Sequence, residues 1–144
     1  MREIHTEIEI DAPPERVWAV LTDLGAYKEW NPFITSARGV ARVGERLEIF
    51  VEIPGAGGRA FKTRVLKADE ARELRWLGTL PLPGLFNGEH IFRLEPLAQG
   101  RTRFVHAEQF TGLLIPFIGG QIRKSERGYE LMNRALKERA EQKP

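Results

Sequence analysis

Three side chains in this sequence have the types and spacing to move protons or to orient a polar ligand: His90, His106 and Glu108. In GEHIFRLEP (88–96), alternation puts His90 on one face with Phe92 and Leu94, and turns Ile91, Arg93 and Glu95 to the other. Further along, TRFVHAEQFTG sets Phe104, His106, Glu108 and Phe110 on a shared face. A short AQG turn separates the two segments, so they are expected as antiparallel neighbours. Depending on register, His90 then lies opposite His106 or opposite Glu108. Directly opposed side chains have Cβ atoms about 4.5–5.5 Å apart, so either register lets one histidine meet Glu108, directly or diagonally. A His–Glu pair in apolar surroundings could serve as acid and base, because burial and pairing shift both pKa values. The preferred reading is milder: a polar network that orients a bound ligand or satisfies itself. No catalytic residue is assigned, and these three are the candidates.

Other chemistries find less support. The chain has no cysteine, which excludes disulfides, thiolate metal sites and a cysteine nucleophile. Ser125 and Thr63 have no assigned base, and no G-x-S-x-G motif is present. Two histidines and a glutamate can hold zinc, but these sit on a sheet without a recognisable ligand motif, so no metal is expected. GVARVG and GAGGRA lack the phosphate-loop pattern and read as hairpin turns. No cofactor is called for. His5, among glutamates, reads as a solvated outer-face residue.

The elements that must position the trio follow from periodicity. Ile4, Ile8 and Ile10 alternate with glutamates as a half-buried strand. DAPPERVWAVLTD then predicts a helix, with Asp11 as a candidate cap and Val17, Trp18 and Leu21 on one face. A second helical turn through LGAYKEW stops at Asn31-Pro32, since a residue before proline avoids the helical region. From about Thr35 to Thr111 strand follows strand: Leu47, Ile49, Val51 and Ile53 share a face, then Phe61, Thr63 and Val65, then Leu74 and Trp76. After Pro116 a long helix carries the stripe Ile118, Ile122, Ser125, Tyr129, Met132 and Leu136. Its charged tail, RALKERAEQKP, is expected to fray.

The chain is expected to form one domain over residues 1–144, of the α+β class: a curved antiparallel sheet of about seven strands wrapped around the C-terminal helix, the only element long enough to cover it. Ser125 on the helix stripe, with Gly128 and Ala135 beside it, leaves two readings open, close helix–sheet contact or a cavity. Hairpin turns alternate between sheet ends, so GAGG (55–58), LPLPG (80–84) and TGLLIPFIGG (111–120) should share one end. Apolar residues gathered on the latter two loops mark that end as the expected mouth of a pocket. The alternative is loops folded over the core.

A net charge of +2, without a basic block, gives nucleic-acid binding little support. The opening MREIHTEIEI has no signal-peptide hydrophobic region, and no apolar stretch is long enough to span a bilayer, so a cytoplasmic protein is expected. Stable membrane insertion is not expected. The TGLLIPFIGG loop, with Arg123 and Lys124 following it, leaves room for transient membrane contact. Oligomeric state is left open.

Four segments carry a family resemblance: IDAPPERVWAVLTDLGAYKEWNPF, LRWLG, GEHIFRLEPL and GRTRFVHAEQFTGLL. With the strand order, they make the chain resemble the START-like, helix-grip (SRPBCC) superfamily near its polyketide cyclase/dehydrase and coenzyme Q-binding branches. The resemblance implies a hydrophobic cavity between sheet and long helix. Many members of such families carry lipids, hormones, quinones or polyketides and a subset are enzymes, so the resemblance implies a pocket more firmly than a reaction. It also makes Trp30 and Asn31, in the corner W-x-x-F, candidate lining residues, although Trp18, Trp30 and Trp76 read most simply as core.

The expected function is binding or carriage of a hydrophobic or amphipathic small molecule. Phe61, Val65, Trp76, Phe92, Phe104, Phe110, Ile122 and Met132 would form apolar wall, and His90, His106 and Glu108 the polar contacts. Thr63, Ser125 and Tyr129 join them as ligand-binding candidates. One alternative is a cyclase or dehydratase using the same trio. The other is an interaction module that docks a partner protein through the apolar loops.

Overall fold

A computed structural model of the chain describes residues 2–142. Strand β1 (Arg2–Ile10) leads into helix α1 (Pro14–Thr22), a 3-10 turn (Leu24–Ala26) and the single-turn helix α2 (Tyr27–Trp30). Six strands follow: β2 (Ile34–Arg38), β3 (Arg46–Ile53), β4 (Gly57–Asp69), β5 (Glu73–Thr79), β6 (Asn87–Leu97) and β7 (Arg101–Thr111). Helix α3 (Gly119–Glu141) ends the described chain. The strands form one antiparallel sheet in the order β1-β7-β6-β5-β4-β3-β2. Every neighbour except the β1–β7 pair is consecutive in sequence. This is the expected helix-grip α+β architecture.

Asn31 explains the corner into β2. Its Oδ1 accepts the backbone N–H groups of Phe33 and Ile34 at 2.9 and 2.8 Å, which turns the chain after α2. Phe33 then enters the core. A Cβ at Gly128 of α3 would collide with the Phe33 ring, so this glycine serves close contact and does not open space. Of the two readings of the small residues on α3, close contact holds at Gly128, whereas Ser125 lines a cavity.

Three local expectations change. Asp11 does not cap α1, whose N-cap is Pro13 with no side-chain cap bond. The Asp11 backbone N–H instead donates to Glu141 at 2.7 Å. Ile118 precedes α3 as its N-cap, after a 3-10 turn over Ile115–Phe117. The helix tail does not fray within the described residues: Arg16 reaches the carbonyls of Arg139 and Ala140, and Arg139 pairs with Glu29 at 3.1 Å. Lys143 and Pro144 lie outside the described residues.

Gly128→Ala should gain about 1 kcal/mol of helix propensity but lose more through overpacking, typically about 1–3 kcal/mol. Urea unfolding should show a net loss of stability; a gain would mean that Phe33 moves aside freely.

Candidate functional site

The inner face of the sheet divides along one transverse row, Val65–Trp76–His90–Glu108, across β4 to β7. Toward one end, Thr63, Gly78, Gly88 and Phe110 form the next row and line a cavity of about 280 Å³. Toward the other end, Leu74, Phe92, His106 and Leu94 are closed over by the core. Helix α3 divides in the same way. Ile122, Ser125 and Tyr129 line the cavity, whereas Met132 and Leu136 are fully buried in the core.

The cavity reaches solvent between the loops that the meander was expected to bring together. Ala56, Gly57, Gly58, Leu80, Leu114 and Ile118 all contribute to it. Backbone bonds from Leu113 to Gly84 and from Leu114 to Leu85, both 3.0 Å, join two of these loops. Lys124 bonds the Gly55 carbonyl of the third at 3.2 Å. Around this mouth Leu82, Leu113 and Phe117 are 66%, 73% and 81% exposed, a marked exposure for such large apolar side chains.

At the inner end the polar groups converge. The register sets His90 opposite Glu108, and His90 Nδ1 lies 3.3 Å from Glu108 Oε1. Tyr129 of α3 donates its hydroxyl to the same oxygen. His106 sits diagonally behind, with its Nε2 2.6 Å from His90 Nε2. Its Nδ1 meets Asn133 Oδ1 at 2.8 Å, Asn133 Nδ2 donates to Thr6 Oγ1 at 2.9 Å, and Thr6 donates to the His106 carbonyl at 2.8 Å. The Tyr129 ring stacks on His106 with centroids 4.3 Å apart. Strands β1, β6 and β7 and helix α3 therefore all fix this cluster.

Burial governs its electrostatics, because charged forms lose hydration. It lowers His90 well below the usual imidazole value, with nearby His106 adding to the effect. His106 falls to about 3 through burial, opposed in part by its bond to Asn133. Burial raises Glu108 to about 8. Its side chain retains 13% exposure while lining the cavity. The cluster thus holds a neutral carboxyl, joined to an imidazole and a phenol, at the inner end of the cavity.

Of the ligand-binding candidates, Phe61, Thr63, Trp76, His90, Glu108, Phe110, Ile122, Ser125 and Tyr129 line the cavity. Val65, at the end of the row, and Phe92, Phe104 and Met132, beyond it, lie in the core, since alternation assigns a face but not a depth along it. His106 is likewise behind the wall, fully buried. Asn31 is spent on its corner, and Trp30 borders a separate surface hollow with Arg16 and Arg139. His5 is on the outer face, 2.7 Å from Glu7. Sequence reasoning did not single out Phe33, Phe86, Gly88, Arg59 or Gln121 as lining, nor Thr6 and Asn133 as members of the cluster. Asn133, four residues after Tyr129, was the available signal: a polar residue on the apolar helix stripe.

These shifts carry a pH signature. A raised carboxyl gives stability that is complete below its unfolded value near 4.5 and is lost as pH rises through about 8. The lowered histidines act oppositely, giving stability that is present above the ordinary imidazole value of 6.5 and lost as pH falls. Between about pH 6.5 and 8 the Glu108 effect therefore stands alone among the three. Chemical denaturation should show a decline of up to about 2 kcal/mol over that interval. Glu108→Gln should flatten it; an equal decline in the variant would exclude Glu108 as its source.

Comparison with known proteins accords with this architecture. Residues 1–141 match the family described as polyketide cyclase/dehydrase and lipid transport. Similar solved structures include the Zhui aromatase/cyclase from Streptomyces sp. R1128, with a TM-score of 0.79 and 18% identity over 97% of this chain and 93% of that one. A START superfamily protein from Mycobacterium smegmatis gives a TM-score of 0.74 and 24% identity, covering 96% of this chain and 97% of that one. A protein from Thermus thermophilus gives 0.76 and 20%, covering 96% and 97%. At such identities these structures speak to the fold alone. No curated protein matches in sequence. The family match supports a hydrophobic-ligand-binding or cyclase role, and the chain belongs to the polyketide cyclase/dehydrase and lipid transport family, within the START-like (SRPBCC) superfamily.

Proposed function

We propose that this protein binds or carries a hydrophobic or amphipathic small molecule, of the lipid, quinone or polyketide-like kind, between the sheet and α3. The observation that carries this reading is the cavity itself: an apolar chamber, open between loops, with a few polar groups at its inner end. Its size lies near the lower end of the roughly 300–1,000 Å³ usual for small-molecule sites. Among the described residues no helix is long and apolar enough to cross a membrane. A cytoplasmic location and transient contact of the mouth loops with a membrane belong to the same proposal.

Filling the chamber tests it. Ser125→Phe places a ring in the cavity, and Trp76 on its wall provides a fluorescence signal. Binding of a hydrophobic panel should weaken by about tenfold or more, or roughly 1.4 kcal/mol, with the fold retained. Native mass spectrometry of gently purified protein should find a bound apolar species in the unaltered chain and not in the variant. An empty cavity with no binding across the panel would remove the carrier reading.

A second reading, a cyclase or dehydratase, is favoured by one feature: a protonated carboxyl beside an imidazole lone pair. In aldol closure of a poly-β-ketone, His90 would take an α-proton while the Glu108 carboxyl or Tyr129 phenol protonates the carbonyl oxygen as the new carbon–carbon bond forms. Glu108→Gln and His90→Ala should then abolish turnover of a short β-polyketone thioester while leaving its binding. Undiminished turnover would rule this out. The partner-docking reading rests on the exposed Leu82, Leu113 and Phe117; charges placed at Leu82 and Leu113 should break such a complex without emptying the cavity.

A further inference from the structure

We infer that the cavity selects an uncharged ligand carrying a hydroxyl group that donates to Glu108, and that Asn133 and Thr6 are positioning residues that create this preference by fixing the protons of both histidines. The inference rests on the cavity reading above and extends it to the chemistry of the ligand.

The proton directions follow from an oxygen that can only accept. The Thr6 hydroxyl gives its single proton to the His106 carbonyl, so Thr6 Oγ1 must accept from Asn133 Nδ2. Asn133 accordingly turns its Oδ1 to His106, whose Nδ1 donates. In a neutral imidazole the other nitrogen is then an acceptor. His106 Nε2 therefore receives the proton of His90 Nε2. That leaves His90 Nδ1 as a lone pair directed at Glu108 Oε1. A carboxylate there would set lone pair against lone pair in a buried site, whereas a carboxyl protonated on Oε1 completes the chain. Oε1 can still accept from Tyr129 while donating to His90. Burial favours the same state, since it disfavours charge on all three groups.

The free oxygen of that carboxyl, Oε2, is a carbonyl-type acceptor. It leans over Gly88, where any Cβ would collide with it. Gly88 pairs with Gly78, and Gly78 with Thr63; the Glu108 carboxyl covers Gly88, so the side-chain-free Gly78 separates that carboxyl from Thr63. Thr63 Oγ1 is buried on the cavity wall and has no partner. A ligand could therefore reach across Gly78, donating a hydroxyl to Glu108 Oε2 and packing against Thr63 at its far side. The sole Lys or Arg among the described lining residues is Arg59, exposed at the mouth. An anionic head at the inner end would be desolvated without a counter-charge, which is costly.

Two measurements on the intact protein test this. Imidazole nitrogen NMR shifts of the unliganded chain should show His106 protonated on Nδ1 and His90 on Nε2. In Asn133→Asp the new carboxylate favours a His106 cation, whose Nε2–H donates, and the His90 proton should move to Nδ1. Calorimetry near neutral pH should give β-naphthol about tenfold or more tighter binding than β-naphthoate. Asn133→Asp should change that ratio, a readout that loss of stability alone would not produce. Finding His106 protonated on Nε2, or naphthoate bound as tightly as naphthol, overturns the inference and leaves the cavity reading standing. Failure of both probes to bind, with the protons placed as stated, overturns the hydroxyl selectivity along with the cavity reading.

Discussion

Burying a carboxyl and two imidazoles in one chain of contacts, with no buried lysine or arginine beside them among the described residues, constrains this molecule more than any single apolar contact. Each group is driven toward its neutral form, because the charged forms would lose hydration that nothing in the wall replaces. Neutral groups must then satisfy one another by hydrogen bonds, and each bond demands a specific donor and acceptor. The requirement reaches outward from Glu108 through His90 and His106 to Asn133 on α3 and Thr6 on β1. Helix and sheet are thereby held in one register at the inner end of the cavity.

That register has a mechanical consequence. Beyond the Val65–Trp76–His90–Glu108 row, Phe92, Phe104, Met132 and Leu136 close the space between helix and sheet. On the other side, Gly78 and Ser125 leave it open. Small residues are not equivalent in this respect. Gly128 admits the Phe33 ring and creates contact, while Gly88 admits the Glu108 carboxyl and creates a site. The convex face of the sheet is stabilised separately. There Glu73 gathers Arg75, Arg93 and Lys67, and their side chains lie over a surface that includes buried Ile91, Val105 and Ala107.

Family membership and site geometry constrain function from different directions. The family is described as polyketide cyclase/dehydrase and lipid transport, which covers both turnover and carriage. On the proposed reading, the inner wall favours a ligand with polarity at one end. A network whose donors and acceptors are nearly all matched is well suited to orienting a molecule, and a single protonated carboxyl beside an imidazole is what acid–base chemistry would also use. The two proposed readings, binding and turnover, thus draw on the same residues, and differ in whether a proton leaves the cluster.

Residue order alone was enough to establish the succession of elements, the antiparallel meander and the long closing helix, because periods of two and of about three and a half write each buried face directly into the chain. It was also enough to place His90, His106 and Glu108 on the inner face, and to bring three apolar loops to one end. Depth became legible only in three dimensions: which inward residues meet the cavity and which meet the core. Val65, Phe92, Phe104 and Met132 fit the pattern of wall residues equally well, yet a period reports orientation and not distance along the strand. The pairing of His90 with Glu108 likewise emerged only on folding, since turn register depends on the conformation of Gln99 and Gly100, both at positive φ. Asn133 and Thr6 joined the cluster only when α3 crossed β1. Contacts between residues 127 positions apart in the chain leave no local periodicity from which they could be read.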